Sequence, residues 1–155
     1  MAHLKEADFY YGSILSHLFN KRICPMLIEG GDDRQIYQFT TNNTEFMLFT
    51  KYRSIPISSK KEDYNSWQFV FSTDDMSELN QMLSDKYELS LGLVCGSKTL
   101  NKSEIAFIHK DEIKEILSNG KTAITISRKK GEKAFRVSRG GGRENAMQIP
   151  SNRVY

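Results

Sequence analysis

Lys51 is the residue of this chain best placed to do chemistry. It lies in Glu45–Arg53 (EFMLFTKYR), where alternation predicts a strand with Glu45, Met47, Phe49, Lys51 and Arg53 on one side. Phe46, Leu48 and Tyr52 fall on the other side. A strand lysine beside carboxylates can orient a water or steady a phosphate, and carboxylates in turn can hold Mg²⁺. Carboxylates upstream of Lys51 are Asp32 and Asp33 in the turn Gly30-Gly31-Asp32-Asp33, Glu29 before that turn, and Glu6 and Asp8 in the first helix. Glu45 shares the face of Lys51 but lies six residues upstream, about 20 Å at ~3.3 Å per residue, too far for one compact metal site.

A second chemical signal is charge. From Met1 to Ser127 there are 14 Lys and Arg against 17 Asp and Glu, whereas Arg128–Tyr155 holds 8 against 2. The net +3 therefore hides a basic end on a mildly acidic body. Lys129, Lys130, Lys133, Arg136, Arg139 and Arg143, with Lys51 and Arg53 from the strand, are the candidate phosphate contacts. The expected partner is nucleic acid, DNA or RNA, or else an acidic protein reached through the tail or an edge strand. The plainer reading of the same charges is a solvated hairpin that keeps an edge strand soluble.

Other residue types carry less. His3, His17 and His109 have no ligand spacing. Cys24 and Cys95 both sit in apolar sequence, which excludes a disulfide framework or a cysteine zinc site, and a buried inert thiol is expected for Cys95 rather than a nucleophile paired with His109. Gly140-Gly141-Gly142-Arg143 lacks the P-loop pattern. Most aromatics belong to a core; Tyr52 and Tyr64 are the two that a stacking surface beside Lys51, Arg53, Lys60 and Lys61 would use.

These residues need a scaffold. With 155 residues, 39% hydrophobic, 26% charged and 11% aromatic, the chain fits one α/β domain over 1–138 and a basic, glycine-rich tail over 139–155. No apolar run approaches the ~20 residues of a membrane helix. Acidic residues near the start argue against a secretory peptide, so a reducing cytosol is expected.

Periodicity predicts a helix over 4–19, on Leu4, Ala7, Tyr11, Ile14, Leu15 and Leu18. A short extended piece follows, then strands Gln35–Thr40 and Glu45–Arg53 joined at Asn42-Asn43, a polar loop, and a third strand Ser66–Ser72. A helix capped by Ser72 or Thr73 carries Met76, Leu79, Met82 and Leu83. Tyr87–Cys95 reads as a central strand, Ile105–Ile108 as another, 110–118 as a helix, and 122–138 as a hairpin around Lys-Lys-Gly-Glu. A three-strand meander, a helical crossover and a returning parallel strand demand a central mixed sheet flanked by helices, with a C-terminal β-hairpin.

The run helix–YQFTT–NN–EFMLFTKYRS–SWQFVFS–helix–LSLGLVC over residues 4–95 resembles the αβββαβ core of the PD-(D/E)XK, or restriction endonuclease-like, superfamily. That resemblance implies a nucleic-acid-handling protein in which Lys51 takes the place of the motif lysine. Phe49 stands where the family has a carboxylate two residues earlier, and Gln38 and Tyr37 replace a metal-binding Asp. A catalytically degenerate, nucleic-acid-binding member is therefore expected, such as an accessory factor in DNA processing or phage defence. An active Mg²⁺-dependent nuclease would need displaced carboxylates from Asp32, Asp33 or Glu29.

Overall fold

The computed structural model of the protein describes residues 3–61, 64–138 and 145–155. Helix α1 (Glu6–Asn20) is followed by strands β1 (Met26–Glu29), β2 (Gln35–Thr41), β3 (Thr44–Arg53), β4 (Ser58–Lys61) and β5 (Tyr64–Val70). Then come α2 (Thr73–Leu83), β6 (Glu88–Cys95), β7 (Glu104–His109), α3 (Lys110–Ser118), β8 (Ala123–Lys129), β9 (Ala134–Val137) and β10 (Met147–Pro150). They build a mixed sheet in the order β1-β2-β3-β6-β7 and a second, antiparallel sheet in the order β10-β9-β8-β5-β4.

The mixed sheet has a core on each face. Its strands alternate, and residues of one parity meet α1: Tyr37, Leu48, Val94 and Phe107 pack with Tyr10, Tyr11, Ile14 and Leu18. Residues of the other parity, Ile36, Phe49, Leu91, Leu93 and Ile108, join Leu79 and Met82 of α2, Ile113 and Ile116 of α3, and the inner face of the second sheet. Burial on both faces explains why β6 reads as an almost unbroken apolar run. The β2–β3 hairpin turns at Asn42 and Asn43, whose φ of 52° and 63° suit asparagine.

The expected parallel return is present: β6 lies beside β3 with Lys51 opposite Leu93. The expected meander is not the one observed. Strand β5, anticipated as its third member, belongs to the second sheet, where Trp67 and Phe69 sit opposite Ile126 and Ile124 of β8. Its apolar face is thereby buried between the sheets, while the free edge of β3 goes to β6, which is buried from Leu89 to Cys95. The antiparallel meander runs one element earlier, as β1-β2-β3, and β4–β5 is a hairpin inserted before α2.

The segment expected as a tail is also built into the fold. Residues 139–144, with Gly140–Gly142, Arg139 and Arg143, lie outside the described residues. Beyond them β10 pairs with β9 and buries Met147 and Ile149. Arg153 then clamps Glu112 of α3 through two bonds of 2.5 and 3.0 Å. The Tyr155 ring packs edge-on against Phe39 and Phe46 at 5.3 and 5.0 Å, and the His17 and His109 rings bond the carbonyls of Val154 and Tyr155. Among the described residues no helix is long and apolar enough to cross a membrane.

Candidate functional site

Lys51 leaves the inner face of β3 near its end and meets α2. Helix α2 starts at a capping box: the Ser72 hydroxyl accepts from the Asp75 amide at 3.0 Å, and the Asp75 carboxylate accepts from the Ser72 amide at 2.9 Å. That local bond aims Asp75 back under the sheet, where it is 6% exposed and accepts from Lys51 Nζ at 2.9 Å. Its second oxygen accepts from Arg34, the residue just before β2, at 2.8 Å. Arg34 also forks onto Glu29 at 2.5 and 3.0 Å and reaches Asp74 at 2.9 Å. Its guanidinium lies 5.8 Å from the ring of Phe49, and Lys51 Nζ lies 5.6 Å from that of Phe71.

The electrostatics follow from this packing. Burial pushes the Asp75 carboxyl up, but the bonds from Lys51, Arg34 and the Ser72 amide outweigh it and hold the group below its usual range. The Arg34 bonds hold Glu29 low as well, against a smaller opposing effect of burial. Those bonds to Glu29, ahead of those to Asp75 and Asp74, raise Arg34 still further, so it is always charged.

This network floors a cleft of about 710 Å³ that gathers the candidates Glu6, Glu29, Asp32, Asp33, Lys51 and Arg53. With Asp74, Asp75 and Arg34 the lining holds six carboxylates against three cations. The residues do not fit a hard dication in this arrangement. The carboxylates nearest Lys51 are spent on Arg34 and Lys51 themselves, and among the described residues no group of three or more His, Cys, Asp or Glu is placed to hold a metal. Glu45 is on the strand face of Lys51 at the far end of β3, opposite Thr40.

Sequence reasoning missed Asp75 as the partner of Lys51, and Arg34 as the second cation on that carboxylate. Asp75 was legible only as an acidic residue in the first turn of a capped helix. Arg34 gave no signal that separates it from a surface charge.

The basic C-terminal residues divide into two kinds. Arg128 is structural: it donates to both oxygens of Glu104 at 3.1 and 3.4 Å, to the Lys129 and Glu132 carbonyls, and stacks over Phe135. Arg136 pairs with Glu132 at 3.3 Å. Lys129, Lys130 and Lys133, around the β8–β9 turn, are exposed. Lys130 and Arg128 help line a second cleft of about 600 Å³ with Lys102 and the hydroxyl and amide groups of Ser97, Thr99 and Asn101. It holds three cations against Glu104, which Arg128 already engages.

Gly96 links the two clefts. Its amide donates to Arg53 carbonyl at 2.8 Å and its carbonyl accepts from the Trp67 indole at 2.8 Å. A Cβ there would stand 2.4 Å from the Ser54 carbonyl oxygen and 2.5 Å from that of Arg53.

The aromatic candidates separate. Tyr52 stacks on Tyr10 at 4.9 Å and meets Tyr11 edge-on, within the α1 core. Tyr64 lies on the other sheet, opposite Lys129. Cys95 is fully buried, and burial, aided by Glu104, pushes its thiol up, which removes it as a nucleophile. Cys24 is exposed, contrary to the apolar setting expected from its neighbours, because the chain between α1 and β1 runs over the surface.

Comparison with protein-family models, with curated proteins and with solved structures returns no significant match.

Proposed function

We propose that the protein binds nucleic acid without cutting it, on a core similar to that of the restriction endonuclease-like superfamily. The order α1, antiparallel β1-β2-β3, α2, then β6 parallel to β3 supports the family reading, with β4–β5 as an insertion. The observation that carries the functional reading is the contrast between the clefts: six carboxylates against three cations around Lys51, one against three around Lys102, Arg128 and Lys130. A polyanion is repelled by the first and held by the second, where exposed ammonium groups and neutral hydroxyl and amide donors can share phosphate oxygens. Phosphate recognition is thus assigned to Lys102 and Lys130, flanked by Lys129 and Lys133. Lys51 and Arg53 are assigned to the acidic cleft.

The test is binding of DNA and RNA oligomers by fluorescence anisotropy across a salt series. Log affinity should fall linearly with log salt, and the Lys102→Ala/Lys130→Ala variant should shallow that slope by about 1–2 units. The Lys51→Met variant should leave the slope unchanged. Absence of binding near ~50 mM salt, or affinity that ignores salt, overturns the proposal. Cleavage in Mg²⁺ or Mn²⁺ that disappears in Lys51→Ala would move the function to the acidic cleft and make the protein a nuclease.

A further inference from the structure

The edge of the mixed sheet at β1 carries a feature the nucleic-acid reading does not use. Met26, Leu27 and Ile28 are 58%, 57% and 47% exposed, the longest consecutive run of exposed large apolar residues among those described. Among the described residues their strand pairs with a neighbour on one side only, which leaves its other row of backbone amides and carbonyls without a strand partner. Natural edge strands are usually blunted by charge on the strand itself. Here the first three positions are apolar, the strand's last residue, Glu29, is engaged by Arg34, and further charges stand beyond the two ends.

Those ends have opposite sign. Exposed Lys21 and Arg22 close α1 before the strand, and exposed Asp32 and Asp33 follow it. Helix α1, 15 residues and so about 22 Å long, separates the two corners, and its own start lies at the second, where Lys5 stands 3.7 Å from Asp32. That pair is 69% and 65% exposed, so solvent screens it and leaves Asp32 open to another cation.

We propose that this edge is a homodimer interface, formed by antiparallel pairing of β1 with β1 of a second copy about a two-fold axis near Leu27. The charge pattern selects this occupant. Antiparallel pairing of two identical edges brings the Lys21–Arg22 corner of each copy to the Asp32–Asp33 corner of the other, twice. Parallel pairing would put like charges together. The apolar run then meets its own copy at the centre, and the mixed sheet becomes continuous across the dimer. The register of β1 on β2 shifts between Leu27 and Glu29, and such an irregularity keeps the regular ladder short and disfavours templating of further strands.

Sedimentation equilibrium of the full chain over the micromolar range tests this. The parent should show a concentration-dependent monomer–dimer equilibrium, and Leu27→Lys should abolish it. Lys21→Glu/Arg22→Glu and Asp32→Lys/Asp33→Lys should each weaken dimerisation about tenfold or more. An equimolar mixture of these two variants should form a heterodimer, because each then offers what the other lacks. All changes are at exposed positions, and circular dichroism with a thermal melt verifies that each variant is folded. A parent that stays monomeric, a dimer indifferent to Leu27→Lys, or variants that fail to pair with each other would each overturn the proposal.

Discussion

Removing the Asp75 carboxylate would strand the Lys51 ammonium and take from Arg34 one of its three carboxylate partners. Lys51 and Arg34 are each 11% exposed, and both direct a nitrogen at this group. Asp75→Ala should therefore destabilise the fold by about 3 kcal/mol, measured by urea unfolding, because the loss is that of an uncompensated buried charge rather than of one bond. Lys51→Met should cost clearly less, since Asp75 keeps Arg34 and the Ser72 amide. The pH dependence has a definite sign. Asp75, Glu29 and Glu112 are all held below the ordinary carboxylate range in the fold. Their contribution is then complete above their unfolded values near ~4 and is lost as pH falls through the lower folded values. Acid unfolding should begin below about pH 4, and Asp75→Asn should flatten that limb of the stability profile while leaving the neutral limb parallel to the parent.

At the scale of elements, the connection after β6 tolerates no side chain. Gly96→Ala would drive a Cβ into the backbone carbonyls of Arg53, the last residue of β3, and of Ser54 just after it, and the Arg53 carbonyl cannot retreat without losing its bond from the Gly96 amide. A loss of about 3 kcal/mol or more in a thermal or urea melt is expected, against about 1 kcal/mol for Gly120→Ser, whose Cβ meets open space but whose φ of 72° strains any side chain. The C-terminal segment should behave as structure: Arg153→Ala should cost about 1–2 kcal/mol by removing a charged, bidentate clamp on α3. These elements were unequally legible. Helix α3 and the pair β2–β3 could be read because amphipathic spacing and Asn42-Asn43 are local signals. The placement of β5 could not, since Trp67, Phe69 and Phe71 alternate identically whichever sheet receives them, and only the competition with β6 for the edge of β3 decides. Strand β10 was missed for a related reason: four residues, Met147–Pro150, are too short for periodicity to speak, and their pairing with β9 is tertiary information.

For the whole molecule, two oppositely charged clefts share one scaffold, and the phosphate site proposed above stands apart from the buried network. Raising salt should weaken nucleic-acid binding steeply while changing the unfolding free energy little, because the Asp75 cluster is shielded from mobile ions and the lysines of the β8–β9 turn are not. Parallel anisotropy and denaturation series would register the divergence. Of the candidate site, the sequence alone identified Lys51 and the basic hairpin as chemically loaded, but the partners that decide their roles, Asp75 for Lys51 and Glu104 for Arg128, stand 24 residues away in each case. The guanidinium of Arg34 has a last consequence. A protein that gathers acidic groups around a borrowed ion loosens when a chelator strips that ion away. This one has its counter-ion sewn into the chain between β1 and β2, so its melting temperature should not move when EDTA is added.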